Sequence, residues 1–95
     1  MNKYMILTVG FERPTPAIMK AWEEWFAGIK DGILDRGGFM RGCEISKSGT
    51  IELAMDRTAI TGYVVVNAES FDDALRMAGT NPYVSSVRVY EMRSH

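Results

Sequence analysis

One histidine and one cysteine occur among 95 residues, and that scarcity removes whole classes of chemistry. Zinc and iron sites need three or four well-placed ligands, so neither a metal nor any other cofactor is expected. Cys43 has no second cysteine to bond within the chain, and a reducing compartment suits it. A nucleophilic Cys43 needs a neighbour that lowers its pKa, and Arg41 two residues away is the candidate; a buried, inert thiol is the commoner case. His95 is the final residue, where chains fray, so it is not expected to act in catalysis. Net charge is also lacking: eleven basic residues face twelve acidic ones, and no basic stripe offers to neutralise phosphates, which argues against nucleic acid. No uncharged run, Ala59 to Ala68 included, is long enough for a membrane helix. Met1 to Met5 shows no signal-peptide core, so a cytoplasmic location is expected.

What is present is globular: 46% hydrophobic and 11% aromatic residues, enough for one domain over residues 1–95 but little more. A domain this small buries only about 60 to 65% of its unfolded surface, leaving apolar area for a partner.

The elements follow from local signals. Lys3 to Val9 reads as a strand stopped by Gly10. Thr15-Pro16 supplies an N-cap and a proline at the first helical position. Ile18, Trp22, Trp25, Phe26, Ile29 and Ile33 then share one stripe at helical spacing, which predicts a long core helix closed by Gly37-Gly38. On that helix Asp31 and Asp35 stand four residues apart on a solvated end. Gly37 to Gly42 lacks the lysine of a phosphate-binding loop and reads as a turn. Ser48-Gly49 predicts a hairpin turn into the alternating strand Thr50 to Met55. Tyr63-Val64-Val65-Val66 marks a central strand over Thr61 to Ala68. Ser70, with Asp72 and Asp73 behind it, caps a second helix with Phe71, Ala74, Leu75 and Ala78 inward. Gly79 and Pro82 end that helix, and Val87 to Met92 forms the last strand. The order strand, helix, strands, helix, strand predicts an α+β ferredoxin-like sandwich, β-α-β-β-α-β with an extra hairpin.

Alternation along the strands then divides the sheet into faces. Met5, Leu7, Val9, Val64, Val66, Val87 and Val89 suit the face beneath the helices. The other parity carries Tyr4, Ile6 and Thr8, then Tyr63, Val65 and Asn67, then Arg88, Tyr90 and Met92. Such a face is too apolar for open solvent and too polar for a dry core. It predicts a homodimer interface enclosing a small aromatic or anionic ligand, with Tyr4, Tyr63, Asn67, Arg88 and Tyr90 as binding residues.

Ile60-Thr61-Gly62-Tyr63, Asn67 to Ala74, Asn81-Pro82-Tyr83 and Val87 to Glu91 together resemble the YCII-related family, which includes the DGPF-type proteins. Trp22 to Phe26 and Asp35 to Gly38 are similar to the first helix and following turn of one branch. The resemblance implies a ferredoxin-like fold paired into a dimeric α+β barrel. It also implies kinship with an aromatic dehydrochlorinase lineage, and with it a lyase or isomerase alternative using Asp35 or a tyrosine for acid/base work. A third reading is an accessory subunit without a ligand. The histidine that one branch carries on its first helix is absent here. Asn81 stands where an aspartate often precedes proline, and Asp56-Arg57-Thr58-Ala59 replaces the DGPF tetrapeptide, so that branch's proposed dyad is not carried over.

Overall fold

The computed structural model describes residues 1–93; His95 lies outside the described residues. Six strands and two helices follow one another as β1 (Asn2–Val9), α1 (Pro16–Ile29), β2 (Ile33–Gly38), β3 (Gly42–Ser46), β4 (Gly49–Leu53), β5 (Ile60–Ala68), α2 (Phe71–Gly79) and β6 (Ser86–Glu91). Four strands form an antiparallel sheet in the order β2-β5-β1-β6, and β3-β4 is a separate two-stranded hairpin. This is the expected ferredoxin-like α+β arrangement with its extra hairpin. The caps act as predicted. Thr15 Oγ1 accepts from the Ile18 N–H at 3.2 Å, and Ser70 Oγ accepts from the Asp73 N–H at 3.2 Å.

The first helix is shorter than its stripe suggested. It ends at Ile29, a 3₁₀ turn spans Lys30–Gly32, and Ile33 begins a strand. Gly28 and Gly32 weaken the helical run, and a β-carbon on Gly32 would stand 3.1 Å from the Asn67 carbonyl oxygen. The chain therefore turns tightly against the end of β5. Ile33 still reaches the core, as a strand residue paired with Val66. Asp31 and Asp35 share no helix, and Gly37-Gly38 lie within β2 instead of closing α1.

Register assigns the faces. Tyr4, Ile6 and Thr8 pair with Val66, Val64 and Gly62, and with Glu91, Val89 and Val87 on the other side. Tyr4, Ile6, Val64, Val66 and Ala68 form the core with Trp25, Ala74 and Ala78. The parity expected for β5 and β6 is observed, and that of β1 is reversed. Tyr4 is 1% exposed beneath the helices, its ring 5.9 Å from that of Phe71, while Met5 and Leu7 occupy the open face. Both parities of β1 carry large apolar side chains, so alternation alone could not choose; packing of the tyrosine ring against α2 does. On α2, Ala74 and Ala78 are buried as expected, but Phe71 and Leu75 are 42% and 44% exposed. The two alanines let the helix lie close to the sheet.

Trp25 ties the helices together by donating from Nε1 to the Met77 carbonyl at 2.9 Å. Trp25→Phe keeps most of the buried ring and loses this bond. The Thr80 hydroxyl still donates to the same carbonyl at 3.0 Å, so the expected cost is about 1 kcal/mol in urea unfolding. The molecule is only 18 Å across its shortest axis, the depth of one sheet and one helix layer. The sheet face opposite the helices is left open.

Candidate ligand cleft between the first helix and the sheet

Two glycines leave a gap in the sheet under the first half of α1. On the helix side, Gly38, Gly62 and Thr8 form one row across β2, β5 and β1. Two of the three have no side chain, so α1 finds nothing to pack on at that level. The next row, Arg36, Val64 and Ile6, closes the gap on the inner side. The result is a cleft of two adjoining lobes, with volumes of about 490 and 480 Å³. Thr8, Trp22, Phe26, Arg36 and Thr61 line both.

The walls are aromatic. Trp22 and Phe26 lie 5.7 Å apart, and Phe11, Phe39 and Tyr83 extend the first lobe. Gly10 takes a φ of +110° that lets the chain turn there, and a β-carbon on it would meet Ser85 Oγ at 2.5 Å. Phe11 is fixed by its backbone N–H, which donates to the Asp56 carbonyl at 2.8 Å. The Asp56 carboxylate is in turn held by the Thr58 hydroxyl at 2.6 Å and the Thr58 N–H at 2.8 Å, and these donors lower its pKa from the usual 3.8.

The polar groups are few. Thr8 Oγ1 and Thr61 Oγ1 lie 3.1 Å apart on the floor. Arg36 stands with its guanidinium carbon 4.1 Å from the centre of the Phe26 ring, a cation–π contact. Across the sheet from the cleft, on the open face, the Tyr63 hydroxyl donates to Asp35 Oδ2 at 2.9 Å, and its ring stacks on Phe39 at 5.8 Å. This bond, then desolvation and the carboxylate's charge, raises the Tyr63 pKa above its ordinary 10.0.

That shift has a sign that can be measured. The stabilisation from the bond is fully present below pH about 10, the unfolded phenol's value, and is lost as pH rises through the higher folded value. Tyrosinate absorbance of the folded protein should show the Tyr63 phenol titrating late. Asp35→Asn is expected to return it to the ordinary range, and an unchanged titration curve would contradict the assignment.

Of the five residues expected to bind ligand, only Tyr63 borders the cleft. Tyr4 is in the core. Asn67, Arg88 and Tyr90 lie on the open face with the Tyr63 side chain, across the sheet from the cleft. Trp22, read as core from its helical spacing, packs against the core and, being half-buried, also forms a wall of the cleft. Thr8, Thr61 and Arg36 were not singled out, because they come from three strands and make no local motif. Two glycines inside strand sequences, Gly38 and Gly62, were the available signal. Cys43, expected to be buried, is exposed on the hairpin. It pairs across the strands with Glu52, the carboxylate that also takes Arg41 at 3.5 Å, so Arg41 is already engaged. Among the described residues no three histidine, cysteine or acidic side chains come together as a metal site, and no helix is long and apolar enough to cross a membrane.

No family model matches the sequence, and no curated protein does. Among solved structures the chain is similar to the 5-chloro-2-hydroxyhydroquinone dehydrochlorinase TftG from Burkholderia phenoliruptrix AC1100, in its complex with 2,5-dihydroxybenzoquinone. The TM-score is 0.58 at 12% identity, covering 98% of this chain and 95% of that one. At that identity the likeness establishes the fold.

Proposed function

We propose that this chain is a YCII-like small-molecule-binding protein that takes a small aromatic ligand in the cleft between α1 and the sheet. The observation that carries this reading is the lining: aromatic walls, a glycine floor, one hydroxyl pair and one guanidinium. An apolar slot with a few convergent polar groups is the usual form of a ligand site. That the structural neighbour was solved with a quinone supports the choice of an aromatic ring. The test is calorimetric titration with hydroquinone and 4-hydroxybenzoate, with the Trp22 indole N–H followed by NMR. Saturable binding that moves the Trp22 signal is expected, and silence from both compounds overturns the reading.

The open face supports a second copy as partner. Met5, Leu7, Val65 and Tyr63 are largely apolar, and Tyr90 is 54% exposed beside them. Native mass spectrometry should show a homodimer that Leu7→Lys converts to monomer. A monomeric wild type contradicts this assembly.

One observation favours a catalytic reading instead, with its site on the open face and not in the cleft. The two groups considered for acid/base work, Asp35 and a tyrosine, are hydrogen-bonded to each other. In that pair the Tyr63 hydroxyl donates and the Asp35 carboxylate accepts, which makes Asp35 the base and Tyr63 its proton-holding partner. Chloride release from 5-chloro-2-hydroxyhydroquinone, lost in Asp35→Asn, is the expected result for an enzyme of this kind. No release by the wild type leaves binding alone.

A further inference from the structure

The charges around the cleft are not evenly placed, and their separation orients whatever binds. In the second lobe Arg36 is the single charged side chain among the lining residues; the rest is Thr8, Thr61, the Tyr63 edge, aromatic carbon and glycine backbone. The first lobe adds two carboxylates, Glu12 and Glu23. Glu12 is 3.5 Å from Arg57 on its outer side. No ion pair engages Glu23 or Arg36 among the described residues. Asp35, next in sequence to Arg36, is occupied otherwise: it accepts the Tyr63 hydroxyl at 2.9 Å and the Arg36 backbone N–H at 2.9 Å. The guanidinium therefore rests on the Phe26 face with its N–H donors unspent.

We infer that the cleft selects planar aromatic monoanions and binds them in one direction, the anionic group on Arg36 in the second lobe and a neutral end toward Glu12 and Glu23 in the first. This rests on the cleft being a binding site, and it adds the ligand's charge and orientation. An arginine fork matches a carboxylate or a phenolate with its neighbouring oxygen, and its hydrogen bonds to a charged acceptor are about twice as strong as neutral ones. The ring slides between the glycine row and the Trp22–Phe26 wall, where no side chain blocks it. The Thr8–Thr61 hydroxyl pair offers one more donor beside the guanidinium. A second negative group at the far end meets two carboxylates, whose like charge disfavours it most at low ionic strength.

Three probes separate the possibilities by calorimetry: hydroquinone (neutral), 4-hydroxybenzoate (one charge and a neutral donor opposite) and terephthalate (a charge at each end). The expected order places 4-hydroxybenzoate about tenfold or more tighter than hydroquinone, from one charge-assisted contact. Terephthalate should be weaker than 4-hydroxybenzoate by a similar factor. Glu23→Gln should narrow the gap between terephthalate and 4-hydroxybenzoate, because it removes the repulsion of the second charge while the glutamine oxygen can still accept from a hydroxyl. Arg36→Gln should erase the preference for the anion while hydroquinone still binds, and Arg36→Lys should keep part of it. Arg36 and Glu23 are both exposed, so folding is not at stake, and thermal melts confirm it. Equal affinity for all three probes, or an anion preference that survives Arg36→Gln, overturns the polarity while leaving the cleft as a site. Failure of every probe to bind removes the site itself.

Discussion

Ile6→Ala is expected to cost about 2–5 kcal/mol of unfolding free energy, the range for emptying a fully buried aliphatic position. Leu7→Ala, one residue along, should cost about 1 kcal/mol at micromolar protein, since its side chain is only partly removed from water. Ile6 is 0% exposed, between Val64 and Val89 and beneath the helices. Leu7 points the other way, between Tyr63 and Arg88 on the open face. Urea unfolding followed by tryptophan fluorescence measures both, because Trp25 packs in the same core as Ile6. The contrast tests the register of β1 directly: a slip by one residue exchanges the two results. If a second copy covers the open face, the Leu7→Ala cost rises with protein concentration, whereas the Ile6→Ala cost stays constant because that variant's stability rises in parallel with wild type.

The same strand shows why some of the structure was legible in the sequence and some was not. Signals that act within a few residues were readable: Thr15-Pro16 and Ser70 start helices where they are observed, the hairpin turns at Lys47-Ser48, one residue before the expected Ser48-Gly49, and the valine run is the central strand. These are local because a cap or a turn satisfies its own backbone groups. Their order sufficed for the fold. The parity of β1 was not local. Tyr-Met-Ile-Leu presents large side chains on both faces, and what decided between them was the ring of Tyr4 finding Phe71, 67 positions away in sequence. The end of α1 failed for a related reason, since Ile33 packs against the core as a strand residue just as a continued helix would have it do, so the stripe could not distinguish the two. The cleft was the least visible feature. Its floor is made by side chains that are not there, and its polar groups arrive from β1, β2 and β5 only once the sheet has formed.

Gly38→Val is therefore the substitution with the largest expected effect on binding, a loss of more than about tenfold for any ring probe, at no cost in stability. Gly38 is not among the residues with positive φ, so a side chain is compatible with its backbone. A β-carbon there would have the Thr61 carbonyl oxygen at 3.9 Å as its nearest neighbour, ordinary contact. Valine suits a strand, and replacing glycine in one regains about 0.5–1 kcal/mol of chain entropy, so the melting temperature should hold or rise. Its two methyl groups stand in the row with Gly62 and Thr8, where the ring would lie. The neighbouring glycines cannot serve. A β-carbon on Gly37 would fall 2.6 Å from the Tyr63 ring, and one on Gly62 would sit 3.0 Å from the Gly37 carbonyl oxygen, so either change disturbs the sheet together with the cleft. Titration of Gly38→Val with hydroquinone and 4-hydroxybenzoate beside a thermal melt gives two independent readings. A folded variant that no longer binds locates the ligand between α1 and the sheet. A folded variant that binds as well as wild type moves the site to the open face, where Asn67, Arg88 and Tyr90 stand.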